Sequence, residues 1–389
     1  MFKFILKWLH YLFVPPKKVD VLPTPDVTTR KLKVLFILKY REVEDKDMGV
    51  YSCSGLSSGL FNSARMVNDM MNEETDDGFE AKMIQVVDNN CIDREVTAFQ
   101  PDVVIIEAFW VVPEKFDVLQ KLHPKVKWII RNHSNFPFLA QEGIAMRWIG
   151  ACIKHDNVYV ATNTKESLHD LREAMVEVVG PFCARLKLVY FPNYYRNETP
   201  DDAVWEPRWR DSHELHVGCF GAIRPLKNHL VQAVAAIKAA RKLKRDLVFH
   251  VNSGRYESGG LPVIHNLRGL FGHQMNATLV EHTWMPHDEF LRVVASMDIA
   301  LQVSLSETFN IVTADAVMMD VPVVVSPEVF WVDKRYQVHP NNANEIASVI
   351  VNTLTALNKN RHHVNVEHLL HYNYNSKASI LNTVRRIAS

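Results

Sequence analysis

Residues 304–315 read Ser304-Leu-Ser-Glu307-Thr308-Phe309-Asn310-Ile311-Val312-Thr-Ala-Asp315 and run on through Ala316-Val-Met-Met-Asp320 to Val321-Pro-Val-Val-Val325. An apolar run over 298–303 precedes them. The pattern predicts a strand, a short polar loop, a helix starting near Asn310 and a second strand from Pro322. A helix start presents N–H groups that no carbonyl of its own helix accepts, together with partial positive charge, so it suits a phosphate or sugar hydroxyls. Glu307, in the loop, is placed to accept from sugar hydroxyls. Asp315, about two helical turns on, falls near the same edge of the helix.

Residues 216–228, His-Val-Gly-Cys-Phe-Gly221-Ala-Ile-Arg224-Pro-Leu-Lys227-Asn228, give a strand, a glycine turn and two cations, followed by an apolar helix over 230–240. Two cations at such a turn clamp a diphosphate and replace a divalent metal. Buried runs alternate with helical stretches along the whole chain. Strands are expected over 33–38, 81–87, 103–107, 126–131, 158–162 and 186–190, and later over 247–251. That alternation argues for α/β architecture, with parallel sheets covered by helices on both faces. Ligands of such sheets bind beyond the carboxyl ends of the strands. Glu107, His133 and Asn163 fall at such ends, and Gly55 and Gly59 follow the first strand, where backbone amides approach a ligand closely.

Taken in order, these segments resemble the retaining GT-B glycosyltransferases of the family 4 type. That family's donor loop runs glutamate, Phe-Gly, a second acid and Gly-x-Pro-Val, and its diphosphate turn reads Gly-Arg…Lys-Asn. Asn310 and Asp320 stand here where the family has glycine, and Asp315 where it has glutamate. The resemblance spans residue 31 to the end of the chain. It implies two facing Rossmann-like domains with an interdomain cleft: an acceptor domain over 31–195, a linker over 196–214, a nucleotide-sugar domain over 215–375 and a crossover helix over 376–389. It implies transfer of a hexosyl or pentosyl group from an NDP-sugar, expected to be a UDP-sugar, to a hydroxyl, with retention and without metal or cofactor. Arg224 and Lys227 then neutralise the leaving diphosphate, with Arg255 facing it. Glu307 holds sugar hydroxyls, Asp315 the ribose, and His133 the sugar from the opposite domain. Gly55, Gly59, Gly221, Thr308, Phe309, Asn310 and Ile311 line the donor, Trp284 lines the nucleobase, and Glu107 meets acceptor hydroxyls. A non-catalytic nucleotide-sugar binder, and a phosphorylase or epimerase on the same fold, stay open beside this reading.

The chain has 389 residues, 44 basic and 44 acidic, so no global positive field argues for nucleic acid. Its five cysteines are dispersed, which reads as free thiols in a reducing, cytoplasmic setting and not as a zinc site. Residues 1–14, MFKFILKWLHYLFV, are too short to span a bilayer and lack a small-residue cleavage site. A helix lying on a membrane surface and a helix packed on the protein's own body are both compatible with them; residues 15–30 read as a linker.

For the acceptor, the segments at 54–65 and 133–140 are similar to glycosyltransferases encoded by tailed bacteriophages, in an infected host's cytoplasm. That resemblance makes a hydroxymethylated base of phage DNA the first acceptor hypothesis, with surface polysaccharide or lipid-linked glycan as the rival. Residues 31–190 nevertheless carry more acids than bases, and a DNA binder needs a basic stripe. Lys115, Lys121, Lys125, Lys127 and Arg131 are the expected candidates for one.

Overall fold

The computed structural model describes residues 30–40, 43–45, 50–52, 58–73, 78–196, 212–253, 256–356 and 363–389. The expected leading helix, its linker and most of the 196–214 connection lie outside them. Leu32–Ser389 forms one compact unit containing two parallel sheets.

The first sheet comprises β1 (Leu32–Lys39), β4 (Phe79–Val86), β5 (Val103–Glu107), β6 (Lys127–Asn132), β7 (Val158–Thr162) and β8 (Leu188–Tyr190), in the order β4-β1-β5-β6-β7-β8. A small antiparallel ribbon, β2 (Val43–Asp45) with β3 (Val50–Ser52), follows β1 and was not anticipated. The central strands are apolar on both faces because both are covered. Leu35, Ile37, Val104, Ile106, Trp128 and Ile130 face one helical layer, that of Ile92–Phe99, Lys115–Leu122, Ala145–Cys152 and Lys165–Val179. The alternate residues Val34, Phe36, Val103, Ile105 and Ile129 face Ser58–Glu73 and the C-terminal helix. Two-sided burial yields continuous apolar runs in place of alternation.

The second sheet comprises β9 (Glu214–Gly218), β10 (Asp246–Asn252), β11 (Ala277–His282), β12 (Ile299–Gln302) and β13 (Val323–Val325), in the order β11-β10-β9-β12-β13. Leu215, Val217, Phe249, Val251 and Leu301 pack under the helices His229–Leu243, Gly260–Gly272 and Ala343–Thr355. On the other face Phe220, Ala300, Val323 and Val325 meet His287–Ala295 and Ile311–Met318. Both lobes are Rossmann-like. In each, strand order reverses beside the first strand, between β1 and β5 and between β9 and β12, and crevices for ligands form at such points.

One helix, His363–Ala388, serves both lobes. Leu369 and Tyr372 belong to the second core, while Ile380, Leu381, Val384 and Ile387 belong to the first. The expected boundary at 375/376 therefore falls inside a single uninterrupted helix. No Pro or Gly lies within its 26 residues, so nothing in the sequence breaks it there. Tyr195, where the first lobe ends, is tied to this helix at both its backbone groups. Its N–H donates to Asn373 Oδ1 (3.0 Å), and its carbonyl accepts from Asn373 Nδ2 (2.7 Å).

Candidate active site

Two adjoining cavities lie between the lobes. The larger, about 720 Å3, is lined by His133, Asn135, Phe138 and Glu142 of the first lobe and by Arg224, Lys227 and Glu307 of the second. The smaller, about 190 Å3, is lined chiefly by the second lobe, with Gly221, Asn252, Trp284, Met285, Phe290 and Asp315. Gly59, Arg224, Lys227, Glu257, Ile311 and Val312 line both. Two cations and the first residues of the helix Ile311–Met318 thus stand at the border between the cavities.

Local geometry explains each placement. Gly221 adopts φ 114°, open to glycine alone among common residues, and its N–H donates to Asn252 Oδ1 (2.9 Å). The chain then passes so close to Gly260 that a Cβ there would stand 1.9 Å from the Ile223 carbonyl oxygen. Pro225–Lys227 makes one 3-10 turn, ending at Asn228 in the left-handed region (φ 59°). Asn228 holds that turn by donating to the carbonyls of Val303 (3.1 Å) and Pro340 (2.8 Å). Lys227, 8% exposed, bonds the Glu307 carboxylate. Arg224 crosses to the first lobe, its guanidinium 4.5 Å from the Phe138 ring centroid, with Glu257 at 3.4 Å. Behind Lys227 the buried His229 is pushed down to about 3, by burial first and then by Lys227 and Arg224, so it adds no positive charge.

The loop after β12 is fastened to the opposite lobe. Asn135 Nδ2 donates to the Glu307 carbonyl (3.2 Å), and Asn163 Nδ2 donates to Thr308 Oγ1 (2.9 Å). Asn310 then caps the helix, its Oδ1 accepting from Thr313 N–H (2.9 Å) and its Nδ2 donating to Gln302 Oε1 (2.9 Å). Asn310 has φ 57° and Asp320 φ 60°. Both positions where the resembled donor loop carries glycine are therefore left-handed, and Asn and Asp are the side chains that tolerate this region best. Asn310→Ala, losing both the cap and the tolerated conformation, is expected to cost about 1–2 kcal/mol, and Asn310→Gly only a few tenths. Urea unfolding of the two variants checks this, and equal losses would refute it.

Four expectations need correction or narrowing. Glu107 does not present itself to an acceptor. It is wholly buried, its Oε1 accepting from Arg131 Nη1 (2.8 Å) and its Oε2 lying 2.6 Å from His133 Nε2. Burial raises its pKa, but Arg131 and His133 outweigh this and hold it below the usual carboxylate range. Arg131, 1% exposed, is accordingly no part of a basic stripe. The ring of Phe309 is buried between Trp331 and Tyr372 (centroids 5.7 and 5.1 Å), which leaves only its backbone for a ligand. Asp315 lines the smaller cavity, yet its Oδ1 already accepts from Tyr195 Oη (2.8 Å) and lies 2.9 Å from His287 Nε2. Gly55 and Arg255 fall outside the described residues.

Other cavity residues carried no signal of their own. Glu142, 3.3 Å from Ser134 Oγ, sits in a mixed polar loop, and burial pushes its carboxyl up. Glu328, outside the lining of both cavities but beside Glu307, has its carboxyl pushed up chiefly by burial. Asn163 was legible as a strand-end polar residue, though not as a clasp between lobes.

The sequence matches no family profile and no curated protein. Solved structures do match. A UDP-forming α,α-trehalose-phosphate synthase from Burkholderia xenovorans, crystallised with glucose-6-phosphate, aligns over 91% of this chain and 100% of its own, with TM-score 0.63 and 10% identity. A sucrose-phosphate synthase from Thermosynechococcus elongatus gives 0.60 at 14% identity, over 92% and 98% of the two chains. Anabaena HepE, in complex with UDP and glucose, gives 0.57 at 12%, over 91% and 98%. The fold is GT-B. The two cavities occupy the interlobe cleft of this GT-B architecture, at the reversal points of both sheets.

Proposed function

We propose that the protein transfers a sugar from a nucleoside-diphosphate sugar to an acceptor hydroxyl. The observation that carries this reading is the pair of adjoining cavities with Arg224, Lys227 and the start of the Ile311–Met318 helix at their border. A nucleoside in the smaller cavity and a sugar in the larger one put the diphosphate at that border. Cleaving the sugar–phosphate bond builds negative charge on the departing phosphate and positive charge on the anomeric carbon. Fixed cations and the first two amides of that helix, Ile311 and Val312, which the Asn310 cap does not take up, stabilise the former without reorganisation. Glu307 accepts from sugar hydroxyls, and His133 meets the sugar from the first lobe. Trehalose-phosphate synthase and HepE, similar in fold and crystallised with glucose-6-phosphate and with UDP and glucose, support a UDP-hexose as first donor to try.

Retention of configuration belongs to the same reading. In it the acceptor hydroxyl attacks the face that the diphosphate leaves and gives its proton to a departing phosphate oxygen. A new glycosidic C–O bond replaces the sugar–phosphate bond, and NDP is released. With Arg224 and Lys227 supplying the counter-charge, turnover is expected to stay within about twofold in excess EDTA. Loss of activity restored by magnesium would overturn the metal-independent form of the proposal.

For the acceptor we favour a glycan or lipid-linked hydroxyl over a DNA base. Arg131 is buried, and Lys125 and Lys127 lie at the amino end of β6, whereas His133 lies past its carboxyl end. Six residues of strand separate those ends by roughly 20 Å, so phosphates held by these lysines do not bring a base to the cavity. A cytoplasmic setting goes with this reading, supported by the four described cysteines being unpaired. No helix of the described residues is long and apolar enough to cross a membrane. The test is a panel of NDP-sugars with lipid-linked glycans, polysaccharide and 5-hydroxymethylcytosine DNA, read by mass spectrometry. A sugar-sized mass gain on a glycan supports the proposal. Gain on DNA alone overturns the acceptor choice, and nucleotide binding without NDP release or transfer favours a non-catalytic binder.

A further inference from the structure

Glu107, once removed from the acceptor site, has a different task. The geometry points to Glu107 as the positioning residue that fixes the tautomer of His133, leaving a bare Nδ1 that accepts a hydrogen bond from a sugar hydroxyl. The identity of the sugar's partner rests on the glycosyl-transfer reading; the tautomer does not.

Glu107 Oε2 lies 2.6 Å from His133 Nε2, a separation that requires a proton between them. Arg131 donates to the other oxygen at 2.8 Å and lies 5.0 Å from the centroid of Phe191, with its second nitrogen on Ser63 Oγ at 3.1 Å. One buried cation thus already balances one buried carboxylate, so a charged imidazole would be surplus in this enclosed group. Burial, followed by the repulsion of Arg131, holds His133 below its ordinary range. The ring is therefore neutral with its proton on Nε2, donating to Glu107.

Nδ1 is then an acceptor. No group among the described residues bonds it, and it is not sealed from solvent; His133 lines the larger cavity. A bare ring nitrogen accepts from a hydroxyl and repels a carboxylate. At this position the site selects a neutral, hydroxyl-bearing sugar over a uronic acid.

Glu107→Gln reverses the arrangement. Arg131 offers only donors, so the amide oxygen turns to Arg131 and the amide NH2 faces His133 Nε2. That nitrogen must become the acceptor, and the proton moves to Nδ1. Nitrogen NMR of histidine-labelled protein reads the two states directly. The expected result is protonated Nε2 and bare Nδ1 in the unaltered protein, reversed in E107Q. Alongside it, kcat/KM for a UDP-hexose falls about a hundredfold, while binding of UDP alone is unchanged and the preference over UDP-glucuronate is lost. A protonated Nδ1 in the unaltered protein at neutral pH would overturn the inference, as would unaltered sugar selection despite a reversed tautomer. Should E107Q not fold, the signals of the unaltered protein still decide. If the unaltered protein transfers no sugar, the transferase reading fails separately, and the tautomer is judged on the NMR alone.

Discussion

Lys227→Ala is expected to lower kcat by about 10²–10³-fold, the scale on which a single preorganised charge donor acts on a developing anion. Lys227 is nearly buried, sits at the border of the two cavities and already bonds Glu307. Its removal therefore has two effects. On the glycosyl-transfer proposal it takes a cation from the leaving diphosphate, and it strands the Glu307 carboxylate beside Glu328, where an incoming phosphate would meet uncompensated negative charge. The second effect makes a further prediction of sign. The double variant Lys227→Ala/Glu307→Ala is expected to bind UDP more tightly than Lys227→Ala alone, although it turns over no faster. Single-turnover kinetics and calorimetric titration with UDP measure the two parts. A loss below tenfold would remove Lys227 from the chemistry.

Arg131→Met is expected to destabilise the fold by about 3–5 kcal/mol, because it leaves a buried carboxylate without its cation. The cost is expected to depend on pH. In the unaltered protein the Glu107 pKa is held low, so its stabilising contribution is present above the unfolded carboxylate range and is lost as pH falls through the folded value. Without Arg131, burial acts against a much weaker opposition and the folded pKa rises. The variant then loses stability as pH climbs from the unfolded carboxylate range through the new folded value. The first trend is already complete above the unfolded carboxylate range, so between pH 5 and pH 8 the gap widens through the variant's loss alone. Urea unfolding at both pH values checks this; a constant gap would mean that Arg131 acts through packing on Phe191 alone.

Most of the architecture was legible because it rests on local pattern. Runs such as Val103–Glu107 and Lys127–Asn132 are apolar on both faces, and that alone implies helices above and below. The turn at Gly221 was legible for the same reason, since backbone geometry there leaves little choice of residue. Orientation and long-range pairing were not. A carboxylate after a buried strand reads the same whether it meets a ligand or, like Glu107, an arginine 24 residues later. Asp315 is held by a tyrosine hydroxyl 120 residues away, a contact that no local pattern announces. Asn310 and Asp320 depart from glycine in side-chain identity but not in backbone angle. At φ near +60° asparagine and aspartate do glycine's work, so the loop after β12 follows a glycine-like course under a different spelling.

The doubly bonded contact between Tyr195 and Asn373 has a mechanical meaning. It pins the end of the first lobe to a stiff rod roughly 39 Å long, the C-terminal helix of 26 residues that passes through both cores. A joint pinned in this way turns but does not slide, so the lobes part by swinging about it, with the widest travel at the far rim of the cleft. The latch at that rim is light: the hydrogen bonds of Asn135 to the Glu307 carbonyl and of Asn163 to Thr308, beside the stacking of Arg224 on Phe138. Two such bonds resist opening by about 1–3 kcal/mol together, a barrier that thermal motion crosses readily. The cleft is therefore a door on a firm hinge with a weak catch, and on the proposed function spent nucleotide would leave by springing the catch while the hinge stays in place.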